Sequence, residues 1–224
     1  MKVIMMRPTY KPELSGGTHL AVDLVKDFID AGHEIELVTP IASKYLNIVD
    51  SNDDECKIHI VTPSKWLAEE VKESFLGKYE VQVIPNGIDT NVFSPHDSDI
   101  KNKLGITGKK MILGVSNSWH KYKGLYDFYE LNKMIDKDKY TIVLVGVTEK
   151  QRKEVPEGII AITKTRDVGE LVDYYSAADV FVNLTYCDTF PTVNLEAQAC
   201  GCMVFTYSNN LIYKEMHSRH TIMS

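Results

Sequence analysis

The chain has 224 residues, of which 44% are hydrophobic and 25% charged, with a formal net charge of −6. That is an ordinary globular composition, long enough for one large or two small domains, and its acidic balance argues against a nucleic-acid binder, which carries a basic face. No apolar run approaches the roughly 20 residues of a membrane span, and the opening MKVIMMRPTY lacks a signal-peptide core. Four cysteines with no CxxC pair read as reduced thiols, so the expected setting is the cytoplasm.

Taken in chain order, short β-rich runs alternate with helical periodicities. KVIMM (2–6) predicts a strand, THLAVDLVKDFIDAG (18–32) a helix stopped at Gly32, and HEIELVT (33–39) a second strand. IHIVT (58–62) is the next strand, followed by a helix opened by Pro63 and Ser64, and VQVIP (81–85) closes this half. Residues 86–110 are turn-rich and read as a linker. In the second half, strands are predicted at 111–115, 141–146, 158–162, 179–184 and 202–207, with helices at about 123–135, 167–178 and 191–200 between them. Strands alternating with helices imply parallel sheets, and continuous Val/Ile/Leu strands imply that both faces are covered. The expectation is an α/β protein of two doubly wound Rossmann-like domains, residues 1–95 and 96–224, the first incomplete.

The chemistry is sought at TYCDTFPTVNLEAQACGC (185–202). In open α/β sheets ligands sit beyond the carboxyl ends of the strands, which is where this turn lies. Pro191 suits the first turn of the following helix. The N–H groups of Thr192, Val193 and Asn194 would face a phosphate at its positive end. Asp188 and Glu196 flank that end and could accept hydroxyls of a ribose and a sugar. From the residues alone a plainer reading also stands: Asp188 or Thr189 caps the helix, and Glu196 is a dipole-favoured acid.

The segment DVFVNLTYCDTFPTVNLEAQACG resembles the nucleotide-sugar signature of family 4 glycosyltransferases with the GT-B fold, an acid followed after seven residues by a glutamate. Aspartate stands here where glutamate is usual in the first position. Further stretches match in the same order: SGGTHLAVDLVKDFIDAGHEIELVT (15–39), VTPSKWLAEEV (61–71) with VIPNGIDTNVFSP (83–95), ILGVSNSWHKYKGLYDF (112–128) and LVDYYSAADVFVNL (171–184). The resemblance implies retaining, metal-independent transfer of sugar from a nucleotide-diphosphate donor to a glycan or lipid-linked acceptor, with no cofactor. It implies that Glu196 holds the ribose and that Asp188 contacts the donor sugar together with the backbone that follows it (Phe190, Thr192, Val193). It implies that Lys123 neutralises the diphosphate, and that Gly16 and Gly17 let a backbone approach the phosphates, as glycine permits. Lys121 is the substitute for a family arginine whose own position is Ser118, and Arg166 is the candidate for base contact.

The pattern also departs from the family. Only IASKYLNIVDSNDDECK separates the segments at 39 and 58, where the family has several more elements and an active-site histidine. No residue takes that histidine's place, since His33 and His59 belong to strand starts. The chain stops soon after its last strand, so it reads as internally shortened and C-terminally truncated. Uncovered faces of the shortened domain would make an oligomer interface, and a peripheral membrane contact at the inner face stays open. Two alternatives follow: a catalytically impaired nucleotide-sugar-binding module, and a nucleotide-sugar epimerase of the same fold. Asp97-Ser-Asp99 and Asp136-Lys-Asp138 read as solvated turn acids, the lysines of 101–123 as a solvated face and the Tyr174-Tyr175 pair as helix packing. No metal site is expected.

Overall fold

The computed structural model describes residues 2–6, 34–38, 59–186 and 188–207. Two compact units divide the chain, Met1–Ile84 and Pro85–Ser224. Their strands all pair in parallel, as the βαβ alternation predicts.

In the first unit β1 (Lys2–Met6) pairs with β2 (Glu34–Val38), and β3 (His59–Thr62) with β4 (Glu80–Val83). Among the described residues these are separate two-stranded sheets. Helix α1 (Lys65–Lys72) connects β3 to β4. It starts where predicted because the buried Ser64 hydroxyl accepts the Leu67 N–H at 3.2 Å, satisfying one of the donors a helix start leaves over. The glycines predicted to approach phosphate, Gly16 and Gly17, lie outside the described residues.

The second unit is a five-stranded sheet in the order β7-β6-β5-β8-β9. Its strands are β5 (Lys110–Val115), β6 (Tyr140–Val145), β7 (Ile159–Ile162), β8 (Val180–Asn183) and β9 (Val204–Thr206). Alternate residues of the central strands feed two cores. Met111, Leu113, Val143, Val145 and Phe181 pack on one face with Tyr175 of α5 (Val168–Ala177) and Ala197 of α6 (Thr192–Ala199). Ile112, Ile142, Leu144 and Val182 pack on the other with Trp119 and with Leu125 and Phe128 of α3 (Leu125–Met134). Burial on both faces is why these strands read as unbroken apolar runs.

Two local expectations are corrected, and one helix was not expected at all. The predicted linker holds a short helix, α2 (Ile100–Lys103), and its Ile100 and Ile106 are buried in the core, so it is part of the second unit's packing rather than a tether. The helix predicted from Lys123 is instead a 3-10 turn, Lys121–Lys123, then Gly124 in the left-handed region (φ 76°), then α3. A side chain at Gly124 would meet the Leu184 carbonyl, so only glycine fits this crossing of two loops. Finally, α4 (Glu149–Glu154) has no buried residue and hence no apolar period to reveal it. It is started by a reciprocal cap between Thr148 and Gln151, a signal that T-x-x-Q did carry.

Candidate nucleotide-sugar site

The strand order reverses at β5 and β8: the chain leaves β5 towards β6 and β7, then returns to add β8 on the other side. Such a switch point splays the two following loops apart and opens a crevice at the strands' carboxyl ends. Here those loops are 116–124 and 184–191.

The first loop is held from several directions. The buried Trp119 donates its indole N–H to the Val145 carbonyl at 2.9 Å, and Gln151 donates its amide to the Trp119 carbonyl at 2.7 Å. Its end is tied to the second loop by the Tyr186 N–H, which donates to the Tyr122 carbonyl at 3.0 Å. Across this junction the Lys123 ammonium meets the Asp188 carboxylate at 2.6 Å, both side chains partly buried. The other Asp188 oxygen accepts the Phe190 N–H at 3.2 Å, so the acid also shapes its own turn. Two sequence-predicted groups 65 residues apart are therefore in direct contact.

Helix α6 begins just beyond. Pro191 occupies the position before the first turn and offers no capping side chain, leaving that end to the backbone. Thr192 and Val193 supply its leading N–H groups. Asn194 does not: its N–H donates to the Pro191 carbonyl at 3.0 Å, which removes one of the three donors expected for phosphate. The Asn194 side chain instead accepts the Asn183 amide at 2.8 Å, and Asn183 in turn accepts the Thr185 N–H at 3.1 Å, a buried relay that fixes the helix to the strand.

Glu196 follows one turn later. The Tyr175 hydroxyl donates to its carboxylate at 2.8 Å, and the Thr192 side chain adds a second hydrogen bond. Burial holds its carboxyl above the ordinary value, with the two hydroxyls pulling the other way. Burial and the neighbouring Glu196 charge keep the Tyr175 phenol well above its own ordinary value, so it stays a donor. A carboxylate accepts about four hydrogen bonds, so Glu196 retains room for a ligand's hydroxyls. Tyr175, predicted as packing, also positions the acid; nothing in local spacing links residues on two different helices.

The remaining expected residues stand apart from this contact. Lys121 is exposed at the head of the 3-10 turn, and its carbonyl accepts the Gly124 N–H. Arg166 follows β7, two places from β5 in the sheet, with its exposed guanidinium on Glu170 at 3.3 Å. Cys200 and Cys202 are free and buried, and burial raises each thiol to about 11. Asp99 and Asp136 bond within their own turns, to Asn102 and to Lys139 and Asp138. Among the described residues no group of three or more His, Cys, Asp or Glu could hold a metal, and no helix is long and apolar enough to cross a membrane.

This arrangement of a loop lysine, a turn acid and a helix-borne glutamate agrees with the family model described as "Glycosyl transferases group 1", which matches residues 96–220. The chain belongs to that family. It is 28% identical over 179 residues to an alpha-monoglucosyldiacylglycerol synthase of Streptococcus pneumoniae, covering 70% of this chain and 40% of that protein. It is 30% identical over 147 residues to an N,N'-diacetylbacillosaminyl-diphospho-undecaprenol alpha-1,3-N-acetylgalactosaminyltransferase of Campylobacter jejuni, covering 60% of this chain and 38% of that protein. The matched region thus spans about two-fifths of these relatives' own length. Among solved structures, WaaG, a glycosyltransferase of lipopolysaccharide biosynthesis, superposes with a TM-score of 0.66 at 13% identity, covering 97% of this chain and 84% of WaaG. A sucrose-phosphate synthase from Thermosynechococcus elongatus does so with a TM-score of 0.57 at 17% identity, covering 87% of this chain and 54% of the other. The fold class is accordingly that of the GT-B glycosyltransferases, mixed α/β with parallel sheets.

Proposed function

We propose that this chain binds a nucleotide-diphosphate sugar at the β5–β8 crevice and transfers the sugar, with retention, to a glycan or lipid-linked acceptor. The observation that carries this reading is the Lys123–Asp188 contact at the switch point, with Glu196 held by Tyr175 one turn along α6. Lys123 and the N–H groups of Thr192 and Val193 take the diphosphate, where negative charge grows as the sugar–oxygen bond breaks. Glu196 takes the ribose hydroxyls and Asp188 the hydroxyls of the donor sugar. The acceptor hydroxyl forms the new glycosidic bond, and its proton leaves with the diphosphate. The names of the two bacterial relatives, one a synthase of a monoglucosyldiacylglycerol and the other a transferase to an undecaprenol-linked sugar, support a lipid-linked acceptor here.

The test is calorimetric titration of uridine, guanosine and adenosine diphosphates and their sugars into the chain and into Lys123→Ala and Glu196→Ala. Tight binding of one donor, weakened by about tenfold or more in both variants, is the expected result, since a charge-assisted hydrogen bond contributes about 1.5–3 kcal/mol. A folded chain that binds none of them overturns the assignment.

A further inference from the structure

We propose that Asp188 acts as an internal stand-in for phosphate, which makes the site prefer an intact sugar donor over the spent nucleoside diphosphate. This rests on the donor-site reading above. The Lys123 ammonium is neutralised by Asp188 at 2.6 Å, with the acid's second oxygen on the Phe190 N–H. A diphosphate that takes Lys123 must therefore displace a carboxylate. The displaced carboxylate remains beside the incoming anion, because the Phe190 bond and the fixed turn keep it there. Only 18% of the Asp188 side chain is exposed, so water compensates it poorly.

The two ligands differ in what they offer in return. A nucleotide sugar presents hydroxyl donors on the far side of its diphosphate, and these give the released carboxylate new partners. A nucleoside diphosphate has no such hydroxyls and carries one more ionisable oxygen, so Asp188 is left facing a like charge. The same side chain thus recognises the donor sugar and rejects the product that transfer leaves behind, which favours release after each turnover. The discrimination comes from an unfavourable contact with the wrong ligand as much as from a favourable one with the right ligand.

Asp188→Asn tests this without rebuilding the turn, because the amide oxygen still accepts the Phe190 N–H. Affinities of uridine, guanosine and adenosine diphosphates, of their sugars and of inorganic pyrophosphate are measured on the parent, Asp188→Asn, Lys123→Gln and the double variant. Circular dichroism checks that each is folded. Asp188→Asn is expected to tighten a nucleoside diphosphate or pyrophosphate by about tenfold while leaving the sugar donor unchanged or weaker. In the Lys123→Gln background the same exchange is expected to give a clearly smaller gain, about threefold, since the lysine can no longer be released and only the like-charge contact remains. If diphosphates bind the parent and bind Asp188→Asn no better, the inference falls and the donor site stands. If the gain persists at full size without Lys123, the effect is general repulsion and the inference also falls. If neither the parent nor Asp188→Asn binds any of these ligands, the donor-site reading fails and this inference with it.

Discussion

Tyr175→Phe isolates one hydrogen bond in the second unit. The ring is fully buried and stacked edge-on against Phe181 at 5.6 Å and Phe93 at 6.4 Å, so phenylalanine keeps that packing and loses only the hydroxyl. What is lost is a 2.8 Å donor to the partly buried Glu196 carboxylate. A hydrogen bond to a charged group contributes about 1.5–3 kcal/mol, and its removal leaves an acceptor short of a partner. The expected loss is about 2 kcal/mol, or a fall in Tm of about 4–8 °C for a domain of this size. The effect depends on pH with a definite sign. Burial raises the folded-state carboxyl of Glu196 above the ordinary 4.5. Its ionisation therefore costs stability as pH rises through the folded value, and that cost vanishes below the unfolded one. Loss of the Tyr175 donor raises the carboxyl further. The variant's deficit is then largest near neutral pH and shrinks to about 1 kcal/mol, the worth of a neutral hydrogen bond, once Glu196 is protonated. Urea unfolding of both proteins at about pH 7.5 and again at about pH 4, below the ordinary carboxyl value, reads this directly. A deficit under about 0.5 kcal/mol, or one equal at the two pH values, would refute the claim that Tyr175 stabilises the ionised acid.

Two more outcomes bear on the scaffold. Gly124→Ala forces a side chain into a left-handed position against the Leu184 carbonyl and is expected to cost about 2 kcal/mol or more in urea unfolding. An unchanged midpoint would mean that the two site loops do not cross as described. Asp179 bonds Lys101 at 2.5 Å, Lys110 at 2.8 Å and the Met111 N–H at 2.8 Å. Burial alone would raise its carboxyl, but these three partners together bring it from 3.8 to about 2. Its stabilisation is present above the unfolded value and is lost as pH falls from 3.8 towards 2. After discounting for solvent screening it amounts to about 1 kcal/mol, so Asp179→Asn should lie below the parent at neutral pH and converge with it in acid.

Much of the second unit was legible because its signals are local. Met111–Leu113 and Ile142–Val145 are apolar on both faces, and the structure buries both faces. Asp167 caps α5 with its side chain on the Glu170 N–H at 2.8 Å, close to where the periodicity begins. The site was legible only through a resemblance. Spacing could place Asp188 and Glu196 at a helix start, but not say that Asp188 meets a lysine from another loop. The plainer reading, in which Asp188 or Thr189 caps the helix, does not hold: Pro191 precedes the first turn with no side-chain cap, and Asp188 accepts the Phe190 N–H ahead of it. What could not be read were contacts between elements far apart in sequence: Tyr175 on Glu196, Trp119 on Val145 and Leu184 against Gly124. None has a periodicity or a local composition to announce it. The loss of the Asn194 N–H is different. It follows from a tight first turn after Pro191, and only backbone coordinates reveal that.

The strand pairing has a mechanical side. β5 meets β6 along six residue pairs, from Lys110↔Tyr140 to Val115↔Val145, but meets β8 along two, Ile112↔Val180 and Leu113↔Phe181. The sheet is thus stitched most lightly along the line where its winding reverses. Asp179 fastens one end of that seam to Met111, and Lys123 with Asp188 fastens the other. A ligand gripped by both loops would act as a rivet through the open end. Its occupancy would register first as slower amide exchange along β8, well before any change in the outer strands.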